Sequence, residues 1–322
     1  MKQSPIVLVT GSSIDPDKLE PLVRAGCVVR AVDEELRTED ELVRALDEVR
    51  VYLLGGDEFA TAKAIESSPA LELIAFLGVG YESFMDVEAV REYGVRVTNT
   101  PNISSNSVAE FTIGQLLNCR RRLTEYTIGY ADGLNGDEQK LRDIHGHPVG
   151  IIGMGGIGSR ITEILTRGFG AEVSYYSRTR KRDVEDELGV VYRELTDLFS
   201  TVESVIVMIP GNSDTAGLIG DEQLRRLPEG SVLVNTARAE VVNPVDLLAH
   251  LKSGRIGAAA FDGFYRDDLP VTQELKRLQP SPLSITGSIA SLTHDARDAM
   301  ACRTVGSILN FLRHGTDEFL VE

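Results

Sequence analysis

Apolar and polar positions change period several times along the chain, and each change marks an element. Ile6-Val-Leu-Val is a short continuous apolar run and predicts a strand. A polar helix follows near Pro16 to Ala25. Val51-Tyr-Leu-Leu then predicts a second strand, a helix starts at about Ala60, and Leu73-Ile-Ala-Phe-Leu predicts another strand. Strands that alternate with helices predict a parallel sheet with helices covering it, an α/β class. The pattern breaks at Thr100-Pro-Asn-Ile-Ser-Ser, where capping residues precede a long apolar-periodic stretch from Val108 to Leu123. A domain boundary is expected near residue 100. After a polar arm from Tyr126 to His147, a second βαβ series runs to about residue 290, and a helix from about Ser291 to Arg313 closes the chain.

Composition narrows the class. The chain has 322 residues, 42% hydrophobic and 25% charged, enough for two domains that each bury a core. Apolar runs such as Ser204 to Pro210 are too short to span a bilayer, and Met1-Lys-Gln-Ser-Pro leads straight into a strand rather than a signal peptide. A cytoplasmic location is the expectation. Cys27, Cys119 and Cys302 are scattered, without the paired spacing of a zinc site or disulfide framework, so they read as small core residues and no metal is expected. A net charge of −16 argues against nucleic acid as a partner, because phosphate binding needs a basic surface. It is the charge of an acidic, solvated surface, with a salt-adapted host as the other reading.

The stretch Val149-Gly-Ile-Ile-Gly-Met-Gly-Gly-Ile-Gly-Ser-Arg160 places Gly153, Gly155 and Gly158 in a G-x-G-x-x-G spacing between an apolar strand and a helical pattern. The first glycine allows a tight turn, the second lets backbone approach a pyrophosphate, and the third lets helix and strand pack closely. The helix N-terminus offers its free N–H groups to the phosphates. A dinucleotide is the expected ligand. The next strand, Glu172-Val-Ser-Tyr-Tyr, ends in Ser177-Arg178-Thr179-Arg180-Lys181. An NAD site carries Asp or Glu about 20 residues after the loop to hold the ribose hydroxyls, whereas an Arg there suits a 2′-phosphate. No carboxylate stands at this place and Arg178 offers a planar fork of donors, so NADP(H) is expected over NAD(H).

The chain resembles the D-isomer-specific 2-hydroxyacid dehydrogenases over nearly its whole length. In order, the segments that carry the likeness are Leu77-Gly-Val-Gly-Tyr-Glu-Ser-Phe-Met-Asp86, Val97-Thr-Asn-Thr-Pro101, Val108-Ala-Glu110, and the glycine loop. Then come Pro210 with Thr215, Val234-Asn-Thr-Ala-Arg238, Phe261-Asp-Gly-Phe264 through Leu269-Pro270, and the turn at Thr286. The resemblance implies two Rossmann-like, doubly wound parallel-sheet domains. Residues 1–100 plus 292–322 would form a discontinuous substrate domain and residues 101–291 a dinucleotide-binding domain, with the active site in a cleft between them. It implies a homodimer through the helix near Val108 to Leu123 and the arm that follows. It also implies a substrate carboxylate gripped by backbone N–H groups of Gly78, Val79 and Gly80 and by Arg238. Cofactor contacts would come from Ser105, Gly156, Ile157, Ser177, Thr179, Pro210, Thr215, Thr236, Ala237 and Arg238, and Asp262 would orient the nicotinamide carboxamide.

The pattern fails at one place. The family pairs a glutamate with a histidine that gives a proton to the 2-oxo oxygen as hydride arrives. Counted without gaps from Asp262, the glutamate position holds Asp267, and the histidine position of the final turn holds Ser288 in Thr286-Gly-Ser-Ile-Ala290. A serine in place of the acid removes catalysis of about 10²–10⁴ in rate, or about 3–5 kcal/mol of barrier. Ser288, or a water held between Ser288 and Asp267, is the expected proton relay; His294, Tyr81 and Tyr265 are other candidate donors. Reduction of a small 2-oxo acid to a D-2-hydroxy acid is the leading expectation. An NADP(H)-binding sensor or interaction protein of little or no activity is the alternative.

Overall fold

The computed structural model describes residues 4–11, 14–32, 36–134, 136 and 141–321. Contacts divide the chain into two compact units. One runs to Ser104 and resumes at Thr293, and the other is Ser105–Leu292.

The first unit contains strands β1 (Ile6–Thr10), β2 (Val28–Val32), β3 (Val51–Leu54), β4 (Leu73–Phe76) and β5 (Arg96–Thr98), all parallel in the order β2-β1-β3-β4-β5. Every residue of β3 and β4 is buried, as central parallel strands covered on both faces must be. Neighbours in sequence serve opposite layers because side chains alternate along a strand. Tyr52 and Ile74 pack with Leu42, Leu46, Ile65 and Val90 on one face. Leu53 and Leu73 pack with Leu22, Met300, Ile308 and Phe311 on the other. The helices begin where side chains satisfy their free N–H groups. Asp15 caps Pro16–Arg24, Thr38 and Glu41 form a reciprocal capping box for Glu39–Ala45, and Thr293 caps the closing helix His294–His314. That cap is why the closing helix starts at His294 and not at Ser291.

The second unit contains β6 (Pro148–Ile152), β7 (Glu172–Tyr176), β8 (Val191–Tyr192), β9 (Ser204–Val207), β10 (Ser231–Asn235), β11 (Ile256–Asp262) and β12 (Leu283–Thr286). They form one parallel sheet in the order β12-β11-β10-β9-β6-β7-β8. Phe199, Leu224, Leu247, Leu251 and Leu275 cover one face, and Ile113, Leu116, Ile161 and Leu165 the other. Strand order reverses between β6 and β9, the place where open α/β sheets bind ligands beyond the carboxyl ends of their strands.

One helix differs from its expected bounds. It spans Ser105–Arg121, and the chain then breaks at Arg122, which takes a left-handed φ of 49°, before a second helix, Leu123–Gly129. Asn118 stabilises the break by accepting from the Thr124 N–H at 3.0 Å and its hydroxyl at 2.9 Å. Arg122 bonds the Gly257 carbonyl at 2.9 Å and pairs with Glu125 at 2.8 Å. The stretch expected as a polar arm from Tyr126 therefore begins inside a helix; its residues 135 and 137–140 lie outside the described residues. Among the described residues no helix is long and apolar enough to cross a membrane.

A buried polar cluster sits within the first sheet. Glu58, 8% exposed, accepts from the hydroxyls of Tyr52 and Thr10. Burial and the Glu58 charge both push the Tyr52 phenol far above its ordinary pKa, so it stays a neutral donor. Tyr52→Phe leaves that carboxylate short of a partner and is expected to lower stability by about 1–3 kcal/mol in urea unfolding.

Candidate functional site

β6 runs directly into the glycine loop. The Ile152 carbonyl accepts from Met208 N–H at 2.7 Å, and the Gly153 N–H donates to Tyr176 O at 2.8 Å, tying the loop to the ends of β9 and β7. Gly153 has φ +105°, and a Cβ there would lie 2.5 Å from the Met208 carbonyl oxygen. A Cβ on Gly158 would lie 2.0 Å from the Gly153 oxygen, a distance no side chain tolerates, whereas a Cβ on Gly155 would meet nothing within 4 Å. The first and third glycines are required by the fold, and the second keeps the approach to the loop open. Helix Gly156–Glu163 starts here, and its first-turn N–H groups, those of Gly156, Ile157 and Gly158 among them, have no intrahelical acceptor. These residues fit a pyrophosphate.

The loop after β7 is ordered by its own side chains. Ser177 Oγ donates to Thr179 O at 2.6 Å, and Arg180 makes a two-pronged pair with Glu185 at 2.6–3.1 Å. Arg178 is exposed and makes no ion pair or hydrogen bond among the described residues.

Beyond β9, Thr215 donates to the Pro210 carbonyl at 2.7 Å and accepts from Asn212 N–H at 2.9 Å, closing a tight turn. Beyond β10, buried Asn235 accepts from Ala237 N–H at 3.0 Å and donates to Arg238 O at 2.9 Å, which sets the turn that presents Arg238. The Arg238 side chain is half-buried, and its only hydrogen bond among the described residues is to the Ala237 carbonyl, at 3.0 Å. Most of its donor fork is left for an anion. Thr236 points inward, its hydroxyl 2.6 Å from that of Thr112. Ser105 Oγ is buried without a hydrogen-bond partner among the described residues.

The turn after β12 is held by Asp262. This carboxylate, 8% exposed at the end of β11, accepts from Thr286 Oγ1 at 2.7 Å, Ile289 N–H at 2.8 Å and Ala290 N–H at 2.8 Å. Asp262 therefore spends most of its acceptor capacity on the turn, a role the sequence did not suggest. Within the turn Ser288 takes a left-handed φ of 58° and is exposed. Its Oγ lies 2.7 Å from where a Cβ on Gly263 would stand, so the side chain is folded back over that glycine.

Of the expected proton donors, Tyr265 is bonded elsewhere. Asp267 is exposed and ion-paired with Lys276, and no hydrogen bond joins it to Ser288 among the described residues. The sequence did not suggest this pairing with the lysine at the end of the following helix. Tyr265 is buried and donates to Val242 O at 2.8 Å, with burial and then Glu240 pushing its phenol far up, so it remains a neutral structural donor. His145, His147 and His250 bond to Phe169 O, Glu203 and Asp221, each at 2.9 Å. His294, in the first unit, is exposed in the first turn of the closing helix.

In the first unit, the loop after β4 has its carbonyls occupied and its amides free. Gly78 O accepts from the Thr100 N–H at 2.8 Å and hydroxyl at 3.1 Å, and Val79 O accepts from Asn99 Nδ2 at 3.0 Å. The N–H groups of Gly78, Val79 and Gly80 have no acceptor among the described residues. A run of unpaired backbone donors is an anion-binding concavity. Tyr81 opens the short helical turn that follows, its phenol raised by burial first and by Glu82.

A doubly wound parallel sheet with a glycine loop at its switch point, and an arginine at a neighbouring strand end, defines a dinucleotide-dependent α/β enzyme. Residues 113–286 match the sequence model of the D-isomer specific 2-hydroxyacid dehydrogenase NAD binding domain. A glyoxylate reductase of Korarchaeum cryptofilum is 33% identical over 261 residues, covering 78% of this chain and 76% of that one. One from Aeropyrum pernix is 34% identical over 260 residues, covering 77% and 75%. A Thermus thermophilus protein of known structure superposes with a TM-score of 0.85 at 27% identity, covering 98% of this chain and all of the other. The chain belongs to the D-isomer-specific 2-hydroxyacid dehydrogenase family, whose chemistry is oxidoreduction between 2-oxo and 2-hydroxy acids with a nicotinamide cofactor. Gly158→Ala, which forces the helix off the Gly153 carbonyl, is expected to abolish cofactor binding in fluorescence titration and to lower the melting temperature.

Proposed function

We propose that this protein reduces a small 2-oxo acid, slowly, with NADPH preferred to NADH. The observation that carries this reading is the loop after β7, where Arg178 stands exposed and unpaired among the described residues and Ser177–Lys181 contains no carboxylate. A guanidinium with a free fork favours a 2′-phosphate, and an acid that would repel it is missing. The glycine loop, with Gly153, Gly155 and Gly158, holds the pyrophosphate. Asp262 keeps one acceptor position beside the turn for the carboxamide. When bound, the nicotinamide supplies the hydride.

Arg238 binds the substrate carboxylate and polarises its carbonyl, using the donors that Ala237 O leaves free. The N–H groups of Gly78, Val79 and Gly80 serve as carboxylate donors. Ser288, or a water it holds, passes the proton, and since a hydroxyl barely ionises near neutral pH the step is slow. Glyoxylate is the first substrate to test, because that is the activity for which the two archaeal relatives are named. A homodimer through the second unit is part of the proposal: Leu123, Ile128, Tyr130 and Leu134 expose large apolar side chains within one short stretch. A particle of monomer mass in light scattering at micromolar concentration would count against the dimer.

A second reading is favoured by the turn at Ser288, which holds no titrating group while Asp267 and Tyr265 are bonded elsewhere. In that reading the chain binds NADP(H) without turning over substrate. Saturable NADPH binding with no oxidation across a panel of 2-oxo acids would establish it.

Titration is expected to show NADPH bound at least about tenfold tighter than NADH, with Arg178→Ala shrinking the gap. Equal affinities in the wild type would refute the cofactor assignment. Ser288→His is expected to raise kcat on glyoxylate by about tenfold or more by restoring an acid. Adding Asp267→Glu is expected to help further only when Lys276→Ala also frees the carboxylate. A wild type already turning over at about 10²–10³ s⁻¹ would overturn the idea that the proton step is impaired.

A further inference from the structure

We propose that Glu185 is a positioning residue for the cofactor's 2′-phosphate: it holds Arg180 and Tyr175 in one network that shapes the Ser177–Lys181 loop and leaves Arg178 as its free cation. The inference rests on the reading that this loop receives a 2′-phosphate.

Glu185 lies in the first turn of helix Arg182–Leu188, just beyond the loop. Its Oε1 accepts from Arg180 Nε at 2.8 Å and from Tyr175 Oη at 2.8 Å, and its Oε2 accepts from Arg180 Nη2 at 2.6 Å. Tyr175, fully buried in β7, accepts in turn from the Lys181 backbone N–H at 2.7 Å. The last residues of the loop are thereby bonded back to the sheet from which the loop departs. The Arg180 guanidinium also lies 5.7 Å from the centre of the Tyr192 ring, within cation–π range.

The carboxylate is more than a surface partner. The Glu185 side chain is 12% exposed against 53% for Arg180, so the acid is sheltered and the arginine comes to it. Hydrogen bonds from Arg180 first and Tyr175 after it hold the Glu185 carboxyl at about 2, so it is charged throughout the working pH range. An exposed i,i+5 ion pair with no further partner would contribute almost nothing. Here one carboxylate joins a loop arginine, a buried sheet tyrosine and, through the tyrosine, a loop amide. With its charge matched by Glu185, Arg180 braces the loop, and Arg178 is the guanidinium that meets the phosphate.

The test is cofactor titration of the full-length protein, by NADPH and NADH fluorescence, for wild type, Glu185→Gln, Arg180→Ala, the double variant and Tyr175→Phe, with a thermal melt of each. Glu185→Gln and Arg180→Ala are each expected to weaken NADPH about tenfold while NADH stays within about twofold. The double variant is expected to be no worse than either single one, since both break the same brace. Tyr175→Phe is expected to fall in the same direction. If Glu185→Gln tightens NADPH while Arg180→Ala weakens it, Arg180 is itself the phosphate ligand and the inference is wrong. Parallel losses for both cofactors would reduce the network to general support of the fold and also overturn it. A wild type with no NADPH preference refutes the loop reading itself, and that result is in hand before any variant is compared.

Discussion

Helix Gly156–Glu163 can lie against the end of β6 only because Gly158 has no side chain: any Cβ there would stand 2.0 Å from the Gly153 oxygen. The contact sets more than one glycine. It fixes the angle at which the helix leaves the sheet, and with it the direction of the first-turn N–H groups that a pyrophosphate needs. It also keeps Gly153 at φ +105°, from which its amide reaches β7 and the Ile152 carbonyl reaches the chain beyond β9. The loop is thus anchored on both sides of the switch point. The strand ends that present Arg178, Pro210 and Arg238 are laid out from there by the order of the sheet.

The second organising group is a carboxylate. Asp262 collects donors from Thr286, Ile289 and Ala290 and so converts the chain after β12 into a defined turn with Ser288 in a left-handed conformation. A buried polar group of this kind is stable because three hydrogen bonds replace its water. The consequence for chemistry is specific. The turn is held through the backbone amides of Ile289 and Ala290, and the side chain that Ser288 presents there is a hydroxyl. Asp267 pairs with Lys276 on the helix that follows. The shape of the turn and the group it presents depend on different atoms, backbone amides for the first and one side chain for the second.

The division between sequence and structure follows from range. Strand periodicity, the glycine spacing, the capping threonines and the serine at position 288 are local properties, and the sequence determined them by itself: two parallel-sheet units, a dinucleotide loop after β6, a basic loop after β7, and a turn without a histidine. Local signals also misplaced the break at Arg122, because the cap that Asn118 gives to Thr124 and the bond from Arg122 to Gly257 lie outside any helical period. What only the tertiary structure decided is which of several plausible partners each polar side chain takes. Asp262 turned to the amides of Ile289 and Ala290, Tyr265 to Val242 O, Asp267 to Lys276, and Glu185 to Arg180 and Tyr175. A carboxylate or phenol has several acceptable partners and one position. Its choice depends on distances of a few ångströms between segments far apart or differently folded in the chain, which no period in the sequence records.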